Sequence, residues 1–194
     1  IIEKNLNCIC FVKTPDNKLP LFNGASSINL NQIQKYLENY KSNHKNEALG
    51  GLFRIKYKNH FLLLDIDNPP QKKFSKSYQS GPLSFEYYLD GIKIITNSGF
   101  GNNISKKAEF LSRLTACQST LTINDTSVTK FEKNEMISKV FGNSIKNSFK
   151  SFEFSSKNDV NLVGFSASNN GYEKKFGCIH KREIYLDKAN NFLK

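Results

Sequence analysis

With 194 residues, 38% of them hydrophobic and 12% aromatic, the chain can bury one good-sized core and is too apolar to stay disordered. Its 28 basic residues, all lysine except Arg54, Arg113 and Arg182, outnumber 17 acidic ones and leave a net charge of +11. That balance suits an anionic partner, or reflects a lysine- and asparagine-rich composition with no partner implied, since the densest cluster, "QKKFSKS" at 71–77, holds only three lysines.

The opening "IIEKNLNCIC" carries no methionine, charged leader or long apolar run. It predicts no signal peptide and no transmembrane helix, and a native start upstream of Ile1. Cys8, Cys10, Cys117 and Cys178 are too sparse for a disulfide scaffold and are expected as small buried apolar residues.

Residues 1–13 read as the end of a helix, and "PDNKLPLFNGA" at 15–25 as a turn-rich loop. Leu30, Ile33, Leu37 and Tyr40 then share one helical face, with Ser27 or Asn29 placed to cap it and Gly50-Gly51 to stop it. Beyond this point the apolar period changes from 3.6 to 2. "LFRIKYK" and "FLLLDID" form a hairpin about Asn59 and His60. "LSFEYYL" and "IKIITN" form another about Asp90-Gly91, a strong hairpin signal. "STLTIN" and "SVTKF" flank a turn at 124–126, and "SFEFS", "LVGFSA" and "FGCIHKREIYL" continue the series, with Asn170-Gly171 in a turn. Only "SKKAEFLSRL" at 105–114 reads as a further helix. Short strands at this spacing predict a mainly β protein, an antiparallel β-sandwich preceded by a short α-helical segment.

No phosphate loop, H-E-x-x-H, C-x-x-C or nucleophile elbow is present. His44, His60 and His180 stand apart and read as solvated or packed rings. Asp65 and Asp67 share one strand face, where they could suit a cation or mark a solvated strand end. No strand interleaves aromatic and basic residues as a nucleic-acid-binding sheet would.

"PDNKLPLFNGA", "FRIKYKNHFLLLDID", "GPLSFEYYLDGIKIITNSG", "ACQSTLTINDTS" and "NNGYEKKFGCIHKREIYL", in this order and over nearly the whole chain, resemble the heparinase II/III-like family. The resemblance implies that residues 1 to about 46 are the end of an α/α toroid and 47–194 a β-sandwich, ending at "NNFLK" before the sandwich is complete. It implies a module of a bacterial polysaccharide lyase that cleaves an acidic, uronate-containing polymer by β-elimination, periplasmic if like the characterised lyases. The alternative is a non-catalytic carbohydrate-binding or structural module. The partners expected are an acidic polysaccharide or oligosaccharide and the N-terminal toroid, which would supply the acid and base; no nucleic acid is expected.

In the family, a metal is held by a His before the L-S-F strand, an Asp ending its partner strand and a His opening the next segment. The matching positions are Gln79, Asn97 and Gln118, and a candidate catalytic His falls at Ser77. Neutral amides are poor zinc ligands, so neither metal nor cofactor is expected, and no catalytic residue within this chain. The three amides are candidate sugar-binding groups, or a self-satisfied polar network in the metal's place. Arg113 is a candidate fork for a uronate carboxylate or a surface ion pair. Tyr78 and Tyr172 are candidates for stacking on sugar or for packing.

Overall fold

Period-two alternation and the turns between the alternating runs build two antiparallel meanders. The computed structural model describes residues 2–39, 48–134, 136, 138 and 142–194. The first sheet takes its strands in chain order: β1 (Ala48–Leu49), β2 (Leu52–Tyr57), β3 (His60–Asp65), β4 (Phe85–Leu89) and β5 (Ile92–Ile95). The second does the same with β6 (Ser151–Asn158), β7 (Leu162–Asn169), β8 (His180–Asp187) and β9 (Phe192–Leu193). Asp90 and Gly91 both adopt positive φ, the geometry that turns β4 into β5 and pairs Leu89 with Ile92.

Alternate residues of the two sheets meet in one core. Phe53, Ile55, Leu62, Leu64 and Tyr87 from the first pack against Val163, Phe165, Ala167, Ile184 and Leu186 from the second. This is the expected sandwich. The outer face of the first sheet is covered too. Helix α1 (Ile2–Val12) brings Phe11, and the following loop brings Phe22, against Phe61, Leu63 and Tyr88. Burial on both faces explains why β3 reads as the unbroken apolar run "FLLL". Arg54 ties helix to sheet: its guanidinium donates to the Phe11 carbonyl at 2.9 Å and lies 4.5 Å from the centre of the Phe11 ring.

Several expectations are corrected. Gly50-Gly51 turns β1 into β2, with φ of 59° and 79°, and stops no helix. The preceding helix is a 3-10 turn (Asn31–Ile33) running into α2 (Gln34–Asn39), with Leu30 and Leu37 buried; Tyr40 and His44 lie outside the described residues. The N-cap is Leu30, without a side-chain cap, and neither Ser27 nor Asn29 occupies that position; Asn29 Oδ1 instead accepts the Asn31 N–H from one residue earlier.

The segments "STLTIN" and "SVTKF" join neither sheet, because the turn at Asn124-Asp125 closes only an isolated bridge between Ile123 and Thr126. They fold over a separate cluster of Tyr78, Val128, Phe131, Ile145, Phe149 and Tyr172. Helix α3 (Lys106–Leu111) forms as expected, with Ser105 Oγ accepting the Ala108 N–H. Cys8 and Cys178 are exposed and the other two cysteines half-buried, so none is the buried apolar residue anticipated. His60 belongs to β3 and is buried, its ring stacked on Tyr87 with Nδ1 and the phenol oxygen 2.8 Å apart. No described helix is long and apolar enough to cross a membrane.

Candidate functional site

Gln79, Asn97 and Gln118 come from a loop before β4, the stretch after β5 and the end of a 3-10 turn (Thr115–Cys117), and the fold draws them into one buried region. Gln79 Nε2 donates to the carbonyls of Gly99 and Ser112, both at 2.9 Å, and its Oε1 accepts the Gly24 N–H at 3.0 Å. Gln118 Nε2 donates to the same Ser112 carbonyl at 2.7 Å. Asn97 Oδ1 accepts the backbone N–H of Ser119 at 2.9 Å and its hydroxyl at 3.1 Å. Gln79 and Gln118 therefore meet through the shared Ser112 carbonyl and not through one another, while Asn97 holds Ser119 by itself. The amide orientation of Gln79 follows from chemistry, since its nitrogen faces two carbonyls and its oxygen an N–H. Asn97 Nδ2 is the one amide atom of the three that is buried without a partner among the described residues.

Glu86, fully buried on β4, holds the Asn97 corner from beneath. Its carboxylate accepts the Thr96 hydroxyl at 2.9 Å and pairs with Lys93 at 3.3 Å. Nothing in the sequence singled out Glu86, Gly24, Ser112 or Ser119. Gly24 and Ser112 act through main-chain atoms, which every residue possesses, Ser119 through its N–H and its hydroxyl, and Glu86 sits within an ordinary strand.

Arg113 is fully buried. Nε donates to Tyr78 O at 2.8 Å, one terminal nitrogen to Asn143 O at 2.6 Å and the other to Ser75 O at 2.8 Å. Its carbon centre lies 4.0 Å from the centre of the Phe131 ring. Burial pulls its pKa down to about 10, against the pull of Glu109, so it remains a cation at neutral pH. It is neither on the surface nor ion-paired there. Tyr78 is 5% and Tyr172 1% exposed, and the Tyr172 hydroxyl donates to the carbonyls of Leu121 and Thr126. Both rings sit in the loop cluster.

Beside the amides lies a cleft of about 460 Å³ whose wall includes Ser77, Tyr78, Asn23, Phe74, Asp65 and Asp67. Phe74 is 69% exposed. Asp65, expected as a solvated strand end or cation ligand, is buried and accepts from Asn23 Nδ2 at 2.8 Å. Burial pushes its carboxyl up to about 6, opposed by the Asn23 bond. The unfolded chain binds this proton only below about 3.9, so the folded form binds more protons between about pH 4 and 6. Stability therefore falls as pH rises through that window and stays reduced above it. Asp65→Asn is expected to gain about 1–3 kcal/mol relative to wild type on going from pH 4 to pH 7.5 in urea melts. An unchanged difference between the two proteins across that range would show the carboxyl is not perturbed.

A sandwich of this topology, with its ligand-like corner at the ends of β4 and β5, invites comparison with known proteins. Residues 41–193 match the family model described as heparinase II/III-like, C-terminal, and the chain belongs to that family. Among solved structures, heparan sulfate lyase HepC from Pedobacter heparinus matches with a TM-score of 0.65 at 17% identity, covering 96% of this chain and 30% of that one. A structure of heparinase III matches with a TM-score of 0.63 at 15% identity, covering 97% of this chain and 32% of that one. At such identities the likeness is one of fold, and this chain spans about a third of the length of those lyases. No curated protein matches the chain.

Proposed function

We propose that the chain is the sandwich module of a polysaccharide lyase acting on a uronate-containing polymer, with the family's metal replaced by an amide network. The observation that carries the second part is the direction of the amide bonds. Gln79 and Gln118 aim N–H groups at the Ser112 carbonyl, and the unpartnered atom at Asn97 is a donor. A cation needs lone pairs, so this donor set does not fit a metal ion. The network instead ties the loops at Gly24, Gly99 and Ser112 together, the task a structural metal performs. No step of the chemistry is routed through it.

The Ser77 cleft is then the wall that this module presents to the substrate, with the base and acid supplied from the toroid. Asp65 and Asp67 on that wall offer no cation to a uronate carboxylate, so its neutraliser would also come from elsewhere. One observation favours the second reading, a non-catalytic carbohydrate-binding or structural module: Arg113, the candidate fork, is spent on main-chain carbonyls.

The β-elimination product carries a double bond that absorbs in the ultraviolet, which gives a direct assay. The 194-residue chain is expected to show no turnover on a panel of uronate polymers, and the polypeptide extended through the residues that precede it in its gene is expected to show it. Turnover by the short chain overturns the division of labour. An inactive but folded longer protein moves the assignment to the non-catalytic module.

A further inference from the structure

We propose that a second concavity, on the loop side of the sandwich, is a binding groove for an anionic polysaccharide chain. The proposal rests on the reading that this protein handles such a polymer, but assigns it a surface apart from the Ser77 cleft. Two cavities of about 330 and 390 Å³ lie side by side, with Thr126, Ser127 and Lys130 lining both. Lys133 and Lys146 line one end, Lys174 and Lys175 the other, and Lys130 both. No carboxylate is among the lining residues, and none of these residues lines the Ser77 cleft.

The acidic residues on the same segments, among those described, are Glu109, Asp125, Glu132 and Glu173. Glu132 is paired with Lys146 at 3.0 Å, and Glu109 acts on buried Arg113. Among the described residues the lysines of the groove therefore outnumber the carboxylates placed to neutralise them, whereas the Ser77 cleft carries Asp65 and Asp67 and no lysine on its wall.

The groove is built on a packed base. The Tyr172 hydroxyl fixes Leu121 and Thr126 through their carbonyls. Asn147 holds the opposite wall by accepting the Lys130 N–H and donating to Val128 O. Two ammonium groups are already positioned: Lys175 Nζ donates to Thr126 Oγ1 at 2.8 Å, and Lys133 Nζ lies 5.6 Å from the Phe110 ring centre. Lysine ammonium groups with hydroxyls and an amide between them match a polymer that alternates sulfate or carboxylate with sugar hydroxyls. A single-stranded nucleic acid would need aromatic faces on which to stack bases. Phe131 and Tyr172 are 4% and 1% exposed, with their faces used in the core, and half-buried Phe110 packs edge-on against Phe131 with the Lys133 ammonium over its ring.

The test measures binding of hexasaccharides of heparin and of hyaluronan at low and moderate salt. It uses the wild-type chain, a groove variant (Lys130→Gln, Lys174→Gln and Lys175→Gln together) and a cleft variant, Phe74→Ala. Melting curves establish that each is folded. The groove variant is expected to bind the heparin hexasaccharide about tenfold more weakly, with a salt dependence shallower by about two to three released ions. Phe74→Ala is expected to weaken heparin binding clearly less than the groove variant does, because the cleft offers the polymer no cation. Heparin binding that survives the groove variant but is lost in Phe74→Ala overturns the groove and leaves the polysaccharide reading standing. Wild-type protein that binds a single-stranded oligonucleotide but neither hexasaccharide overturns that reading itself. Binding to neither class of polymer overturns the groove.

Discussion

Arg113→Ala lowers the stability of the fold by about 3–5 kcal/mol, and Arg113→Lys by only slightly less. The size of the effect follows from what the side chain holds. Three carbonyls, from Ser75, Tyr78 and Asn143, accept from one planar guanidinium that is fully buried. Hydrogen bonds to charged groups contribute about 1.5–3 kcal/mol each, and buried acceptors left without donors carry their full desolvation cost. Alanine also leaves a cavity beneath the Phe131 ring, where the guanidinium lay at 4.0 Å. Lysine keeps the charge but not the fork, and one ammonium cannot reach three carbonyls on diverging segments. Equilibrium urea denaturation measures the loss directly. A cost below about 1 kcal/mol for the alanine variant would mean that the three segments hold their places without Arg113.

Gln79→Ala is expected to be the most damaging of the three amide substitutions, at about 2–4 kcal/mol, because three hydrogen bonds to main-chain groups are lost together and the Gly24 N–H is left with no other partner among the described residues. Gln118→Ala is expected to cost about 1 kcal/mol, since Ser112 O keeps a bond from Gln79. Asn97→Ala falls between, as it releases two bonds from Ser119 but also removes an unpartnered donor. Gln79→Glu supplies the decisive contrast. A carboxylate would face two carbonyl oxygens, so this variant should lose markedly more stability than wild type between pH 4.5, where protonation restores a donor, and pH 7.5. An unchanged difference between Gln79→Glu and wild type at the two values, or a Gln118→Ala variant weaker than Gln79→Ala, would refute the network as drawn.

The three arginines show where sequence reasoning reaches its limit. Arg54 donates to Phe11 O, Arg113 to three carbonyls, and Arg182 to Leu83 O and Ser119 O. Each binds two loops, or a helix and a sheet, together. In the sequence Arg113 stood five residues before a candidate ligand position and read as a carboxylate fork or a surface ion pair. Its partners lie 30 to 38 residues away and are main-chain oxygens, which no residue identity marks.

Much of the fold was legible because its signals are local. Successive strand side chains point to opposite faces, so period-two runs reveal strands, and Asp90-Gly91 reveals a turn by the positive φ it tolerates. The ordered match of motifs along the chain carried the family, and it placed Gln79, Asn97 and Gln118 in a common neighbourhood. The tertiary structure alone decided that "STLTIN" and "SVTKF" leave the sheets, since their alternation is satisfied by the separate loop cluster around Tyr172 and Phe131. It alone decided which amide atoms donate, that Asp65 is buried beneath Asn23, and that lysines separated by up to 45 positions, from Lys130 to Lys175, line the same or adjoining cavities. Alternation and turns are properties of neighbouring residues. Burial, the direction of a hydrogen bond and the gathering of charge depend on which distant segments the packed core brings together.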